Sequence, residues 1–346
     1  MKQYRVVALP GEGIGPEVVD AALEILRQVA QLYGFEVKID YGLIGKPAYS
    51  KLGAFFPRVT AQICEGADGI VFGAVTSGGL LELRKQFDFF VNLRPVRSFP
   101  SLYDKSPLRK DKLQGIDILF VRELVSGIYF GPAGCGEDEN GGYGYHTMRY
   151  YDWEMRRIAQ VALQQAQNRR GLLTVAHKEN ALPCLRWSHL VQEEALNFPQ
   201  IIVEPMLVDN LAMQLVMNPR YFDVILAGNL FGDILSDLGG AIAGSISLLG
   251  SASLNAQGFG LYEPVHGTAP DIAGRGIANP LGTLEGVVLM LQHWGEQRAA
   301  HRIVQVQEQL LAQGYRTADL SLQGREILVN TQELVELFLQ ELSEAA

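Results

Sequence analysis

The sequence predicts an α/β chain with two domains. Short apolar runs of strand length recur along it, and stretches with one-faced helical periodicity fall between them. Strands alternating with helices argue for α/β layers. At 346 residues the chain also exceeds what one small core organises, so two domains is the natural expectation.

The elements follow in order. "RVVAL" (5–9) reads as a short buried strand, and a glycine-rich turn leads from it into a helix from about Pro16 to Tyr33. Proline at the helix start, Glu17 in its first turn and Gly34 after its end are helix punctuation, and Val18, Ala22, Ile25, Val29 and Leu32 form one apolar face. "VKIDY" alternates like a strand; "GIVFGAV" (69–75), "DILFV" (117–121), "LLTVA" (172–176) and "DVILA" (223–227) read as buried strands. "WEMRRIAQVALQQAQNRR" carries a helical pattern. The glycine- and tyrosine-rich segment 131–148 breaks the rhythm and predicts a loop or projecting hairpin.

Composition narrows the function. Hydrophobic residues make up 48% and charged residues 19%, enough for a globular core, and the net charge of −9 has no long run of either sign. That argues against a nucleic-acid or anionic-membrane surface. No apolar stretch is long enough to span a bilayer, and the N-terminus reaches glycine and proline before a signal-length apolar run forms. Three widely spaced cysteines fit a reduced, cytoplasmic setting.

Several motifs carry possible chemistry. "PGEGIGPE" (10–17) puts three glycines before a helix, a place that can hold an anion, but its spacing is neither the dinucleotide fingerprint nor a P-loop. Alone it is a structural turn. Arg84, Arg94 and Arg122 stand in compact motifs; a lone arginine is ordinarily a solvated charge, whereas converging guanidinium groups grip carboxylates. Tyr129 and Lys178 are by default a packed tyrosine and a surface lysine, although a lysine whose pKa is lowered can act as a base. In "NLFGDILSD", Asp233 and Asp237 share a helix face one turn apart, where like charges repel. A hard divalent cation, Mg²⁺ or Mn²⁺, would cancel that repulsion, with Asp209 as a candidate third ligand. The irregular loop "YEPVHGTAPDIAGRGIANP" (262–280) holds His266, which could stack on a ring, and Asp271, which could accept ribose hydrogen bonds; taken alone, Asp271 reads as a solvated loop aspartate.

Taken together, "LPGEGIGPE", "LLELRK", "NLRP", "VRELVSGIYFG", "HKEN", "VDNLAMQL", "GNLFGDILSDLGG" and "EPVHGTAPDIAGRGIANP" resemble, almost end to end, the isocitrate/isopropylmalate (β-decarboxylating) dehydrogenase family. The resemblance implies a two-domain fold that is not a standard Rossmann domain. Residues 1–92 and 245–346 would form a cofactor-side domain, and 93–244 a domain bearing substrate, metal and dimer interface. The segment near 131–148 would be an arm clasping a second copy in a homodimer with shared active sites. The implied activity is NAD- and Mg²⁺- or Mn²⁺-dependent oxidative decarboxylation of a 3-substituted malate, foremost 3-isopropylmalate in leucine biosynthesis. Tyr129 and Lys178 would be the catalytic acid and base. Leu80, Leu81, Arg84, Arg94, Arg122, Asn180 and Asp209 would bind substrate, and Asp209, Asp233 and Asp237 the metal. Ile14, Glu263, His266, Gly267, Ala269, Asp271 and Asn279 would bind NAD, with Asp271 repelling the 2′-phosphate of NADP.

The sequence also departs from that pattern. Glu12 stands where the family usually has aspartate, and His177 precedes the lysine in place of the usual aspartate. The loop before Leu80 is about a dozen residues short by comparison. Ser77 occupies the place of a glutamate, followed by Gly78 and Gly79. The Glu12 change is a small one beside the expected cofactor site, whereas the shortened loop and lost carboxylate predict a roomier, less polar pocket and make 3-benzylmalate, in homophenylalanine biosynthesis, the alternative substrate. A non-catalytic regulatory paralogue is a third reading, disfavoured because Tyr129, Lys178, Asp233 and Asp237 are all present.

Overall fold

The computed structural model describes residues 1–322, 324 and 326–344. Strand β1 (Lys2–Gly11) buries Val6, Val7, Ala8 and Leu9 completely, as expected of an apolar run covered on both faces. Helix α1 (Gly15–Tyr33) ends at Gly34, whose left-handed φ of 77° lets its N–H bond back to Ala30 O. Then come β2 (Phe35–Tyr41), α2 (Lys46–Leu52), α3 (Arg58–Cys64), β3 (Gly69–Ala74), α4 (Leu80–Gln86) and β4 (Val91–Arg97). The short α5 (Lys110–Leu113) precedes β5 (Asp117–Glu123) and a hairpin of β6 (Ala133–Asp138) and β7 (Gly141–His146). The middle continues through α6 (Asp152–Gln167), β8 (Leu172–His177), α7 (Trp187–Ala195), β9 (Ile202–Leu207), α8 (Val208–Met217), β10 (Val224–Ala227) and α9 (Asn229–Ala243). Strands β11 (Gly250–Leu254) and β12 (Gly260–Pro264) and helices α10 (Leu281–His293), α11 (Gln297–Gln313) and α12 (Thr331–Glu344) close the chain.

Ten of these strands form one sheet in the order β2-β1-β3-β12-β11-β4-β5-β10-β8-β9. Both flanks are parallel, but the centre is not: β12–β11, β11–β4 and β4–β5 all pair antiparallel. This is no all-parallel doubly wound sheet. One half draws on both chain ends: Val19, Leu26, Leu291, Ile303, Val335 and Phe338 share a single core cluster. The middle of the chain packs its own cores, around Val121, Ile158 and Leu173 on one face and Phe120, Leu211 and Leu235 on the other. Strand β4 is the seam, bonded to β11 on one side and β5 on the other. The expected boundary at residues 92 and 93 therefore falls inside a strand.

The segment 131–148 is indeed a hairpin, and its strands are exposed except for partly covered Gly141; Tyr143 and Tyr145 are half exposed. Such an isolated two-stranded ribbon has little to hold it in water alone. Among the described residues, no helix is long and apolar enough to cross a membrane. Cys64, Cys135 and Cys184 are free thiols, and burial pushes the Cys64 pKa up to about 12.

Candidate active site

The motif residues gather where parallel strands end. Gly11, Ala74, Glu123, His177, Ala227 and Pro264 are the last residues of β1, β3, β5, β8, β10 and β12, and the turns that follow carry most of the expected site. Crevices at the carboxyl edge of such sheets are the usual place for ligands.

Strand register explains how two arginines meet. Asn92 pairs with Arg122 and Arg94 with Phe120 across β4 and β5, so Arg94 and Arg122 project from the same sheet face. Helix α9 covers that face, and Gly232 makes room for it. A Cβ there would lie 2.7 Å from Arg122 Cγ and 2.8 Å from its Cβ. Arg122 is almost wholly buried. Its Nε and Nη2 donate to Asn229 Oδ1 at 3.0 and 2.7 Å, and its Nη1 donates to Asp233. Asn229 is itself fixed, since its Nδ2 donates to Leu124 O and Ser126 O at 3.1 and 2.9 Å, which leaves its oxygen facing the arginine. Arg94 Nη1 donates to Ser236 Oγ at 2.8 Å and to Asp237 Oδ1 at 3.1 Å, and lies 3.4 Å from Asp233 Oδ1. The repulsion between Asp233 and Asp237 is thus met by two arginines.

Arg84 completes the cationic group from α4, with its Nη2 bonded to Glu263 Oε1 at 2.8 Å. Burial, the Arg94 charge and, less strongly, the Arg84 charge bring the Arg122 pKa down to about 10, against the opposing pull of Asp233. Among the described residues, the buried Nε atoms of Arg84 and Arg94 have no hydrogen-bond partner. Donors left open in this way suit an incoming carboxylate. Tyr129 OH donates to Asp233 Oδ2 at 3.2 Å, and burial followed by the Asp233 charge raises its pKa. Asp237 is also raised: burial and Asp233 push it up, and Arg94 only partly offsets them.

Lys178 and Asp209 pair with each other rather than with this group; the lysine's hydrogen bond is the leading reason that Asp209 sits below the usual carboxylate range. Asn180 is exposed just beyond. Among the described residues, no group of three or more His, Cys, Asp or Glu side chains is arranged to hold a metal within one chain. Asp233 and Asp237 do fit as part of an oxygen set. Their side chains are 35% and 51% exposed, so a hard cation could reach them without desolvating buried carboxylates.

The expected cofactor residues divide between buried positions (Ile14, Glu263, Asn279) and a more open loop. Ile14 N donates to Thr268 O at 2.9 Å, and Gly13 passes so close that a Cβ would lie 2.0 Å from that oxygen. Ile14 packs with Val18 and Ala278 beside Ala269 and Ile272. His266 Nδ1 is 2.9 Å from Gly267 O, its Nε2 is buried without a partner among the described residues, and burial lowers its pKa. Gly267 faces open space, and Asp271 is exposed. Ala269 holds an unusual φ of 39° for a residue with a Cβ. Asn279 turns inward to Ser247 and Asp319 at 3.2 and 3.0 Å, and Glu263 is engaged by Arg84.

The two glycines of the expected pocket wall pack closely against a neighbouring turn. A Cβ on Gly79 would lie 2.7 Å from Phe55 O and 2.9 Å from Ile44, and Gly78 abuts the Phe55 ring. The loop before Leu80 therefore packs against the 53–57 turn. Glu12 also brings a carboxylate onto Ser77. Leu80 packs on the core cluster beneath, while Leu81 is 44% exposed. Sequence reasoning did not assign Asn229, Ser236 or Gly232; an asparagine and a glycine preceding two aspartates on one helix face were the only signal.

A family model described as isocitrate/isopropylmalate dehydrogenase matches residues 5–338. A 3-isopropylmalate dehydrogenase of Aquifex aeolicus is 42% identical, with 99% of this chain and 98% of its own length aligned. An isocitrate dehydrogenase structure from Methylococcus capsulatus superposes with a TM-score of 0.89 at 30% identity, covering 98% of this chain and 99% of that one. A β-decarboxylating dehydrogenase from Thermococcus kodakarensis gives 0.81 at 32% identity, covering 99% and 96%. Fold and likeness together define a dehydrogenase. More particularly, the chain belongs to the isocitrate/isopropylmalate dehydrogenase family, and its chemistry is oxidative decarboxylation.

Proposed function

We propose that the protein oxidatively decarboxylates a 3-substituted malate, foremost 3-isopropylmalate on the route to leucine, using NAD and Mg²⁺ or Mn²⁺. The observation that carries this reading is the convergence of buried Arg94 and Arg122 on Asp233 and Asp237, with Tyr129 on the same carboxylate. Arg84, Arg94 and Arg122 bind and orient the two carboxylates of the malate. Asp233 and Asp237, with the partner's Asp209, would hold the divalent cation, and the loop from His266 to Asn279 with Ile14 and Glu263 would hold NAD. When bound, the cation supplies Lewis acidity at the 2-hydroxyl and NAD supplies the hydride acceptor. The partner's Lys178, as the neutral amine, would accept the hydroxyl proton at Nζ, and the partner's Asn180 would help place substrate. Tyr129, a phenol that holds its proton at neutral pH, would deliver that proton from its OH to the carbon left by CO₂. Leu80 and Leu81 face the 3-substituent. Residues 1–92 and 245–346 act as the cofactor-side domain, 93–244 as the substrate side, and the hairpin as the clasp of a cytoplasmic homodimer.

The test is NADH formation and CO₂ release over a panel of 3-substituted malates with Mg²⁺ or Mn²⁺. Turnover of 3-isopropylmalate is expected. No turnover of any 3-alkyl- or 3-arylalkylmalate would overturn the reading, and a clear preference for 3-benzylmalate would move it to the alternative substrate.

A further inference from the structure

Positions 12 and 77 depart from the family pattern separately, yet in the structure they touch. Ser77 Oγ donates to Glu12 Oε1. The same carboxylate accepts Lys46 N at 2.8 Å, Thr76 N at 3.3 Å and Thr76 Oγ1 at 3.0 Å. One side chain thus ties together the turn after β1, the start of α2 and the loop after β3. Burial pushes the Glu12 carboxyl up, but these hydrogen bonds outweigh it and hold the pKa below the ordinary value, so the group is ionised at neutral pH.

The backbone beneath Glu12 cannot easily move. Gly11 and Gly13 have φ of 75° and 62°, Glu12 N donates to Ala74 O at 2.7 Å, and Ile14 N is held by Thr268 O. An aspartate at position 12 would end about 1.5 Å sooner, one carbon–carbon bond, and fall short of Ser77 and Lys46 N. A glutamate at position 77 would instead carry a second carboxylate toward the first. Each residue therefore makes sense only with the other. Ser77 lies three residues before Leu80, and α4, which carries Leu80, Leu81 and Arg84, begins immediately after Gly79.

We propose that Glu12 is a specificity-determining residue: held by Ser77, it fixes one negative charge in the loop that leads into α4, three residues before Leu80, favouring neutral substituents over those ending in a carboxylate. This rests on the malate reading above, and wild-type turnover of 3-isopropylmalate tests that reading by itself.

The charge is tested with Glu12→Gln, which keeps the length and removes the charge, by measuring isocitrate, a malate with a carboxymethyl substituent, as an inhibitor of 3-isopropylmalate turnover. Its inhibition constant should fall about tenfold while the KM for 3-isopropylmalate changes by less than about threefold. The coupling is tested by a cycle. Ser77→Glu alone should lower kcat/KM for 3-isopropylmalate by about tenfold or more, and Glu12→Asp/Ser77→Glu should recover to within about threefold of wild type. An inhibition constant unchanged in Glu12→Gln, or a double variant no better than Ser77→Glu, would overturn the proposal. A purely structural role for Glu12 would move stability and leave the isocitrate-to-isopropylmalate ratio where it was.

Discussion

Gly232→Ala tests whether the position of Arg122 matters to catalysis apart from the stability of the fold. The added Cβ would meet Arg122 Cγ at 2.7 Å, so arginine or helix must yield by about 0.7 Å to restore ordinary contact near 3.4 Å. Arg122 resists through its bonds to Asn229 and Asp233. Overpacking of this kind costs about 1–3 kcal/mol, and the better helix propensity of alanine returns up to about 1 kcal/mol, leaving a net loss of about 0–3 kcal/mol. Catalysis should suffer more, because displacing a positioning group by a large fraction of an ångström costs about tenfold to a hundredfold in rate. Gly239→Ala is the matched control. It lies on the same helix, and its Cβ would meet Phe120 Cε2 at 3.0 Å and Val96 Cγ2 at 3.1 Å, touching no arginine. Urea unfolding and steady-state kinetics on both variants separate the two effects. Comparable stability losses are expected, with kcat/KM for 3-isopropylmalate falling at least about tenfold in Gly232→Ala and less than about threefold in Gly239→Ala. Equal kinetics in the two would refute the argument that α9 sets the arginine.

Asp233→Asn and Asp237→Asn should each lower kcat at least about a hundredfold in a folded protein, and near-normal rates in excess chelator would exclude a metal at these residues. NAD should be preferred to NADP by roughly tenfold or more in kcat/KM, because Asp271 would lose ribose hydrogen bonds and face a phosphate; equal efficiencies would remove that role. Mixed dimers of Lys178→Ala and Tyr129→Phe should regain activity above both parents if each site combines two chains, whereas additive residual activity argues for self-contained sites. Burial, opposed by the N–H groups of Val125 and Ser126, raises Glu123 from 4.5 to about 7. The folded state therefore holds its proton where the unfolded state has released it, so wild type should lose stability relative to Glu123→Gln as pH rises from about 4.5 to about 7. Urea midpoints across that range, with a flat difference between the two proteins, would contradict this.

Much of the fold was legible because its strands are buried on both faces and read as plain apolar runs, and because α1 is punctuated by Pro16 and Gly34. The central antiparallel strands were less legible. "VNLRPVR" in β4 mixes arginines, an asparagine and a proline, since its neighbours include the site itself. Their pairing depends on a strand more than 150 residues away. The site was legible as motifs but not as contacts. Sequence separated Arg122 from Asp233, and Glu12 from Ser77, although each pair is bonded. Local pattern carries period and punctuation; which charges face one another is decided by register, and register across the seam is non-local.

That register yields a site whose opposite charges answer one another before any ligand arrives. Arg94 and Arg122 are buried, and a buried guanidinium without a partner is costly, so the two aspartates that suit a cation also serve as the arginines' counter-ions. A divalent cation arriving alone would draw Asp233 and Asp237 away and leave two arginines unpaired. A dicarboxylate arriving alone would take the arginines and leave two like-charged aspartates one helical turn apart. Arriving together, cation and dicarboxylate exchange one set of ion pairs for two, with neither charge stranded. The proposed malate, offering one carboxylate to the arginines and further oxygens to a cation, would meet that requirement. A monocarboxylic hydroxy acid would leave an arginine without its counter-ion.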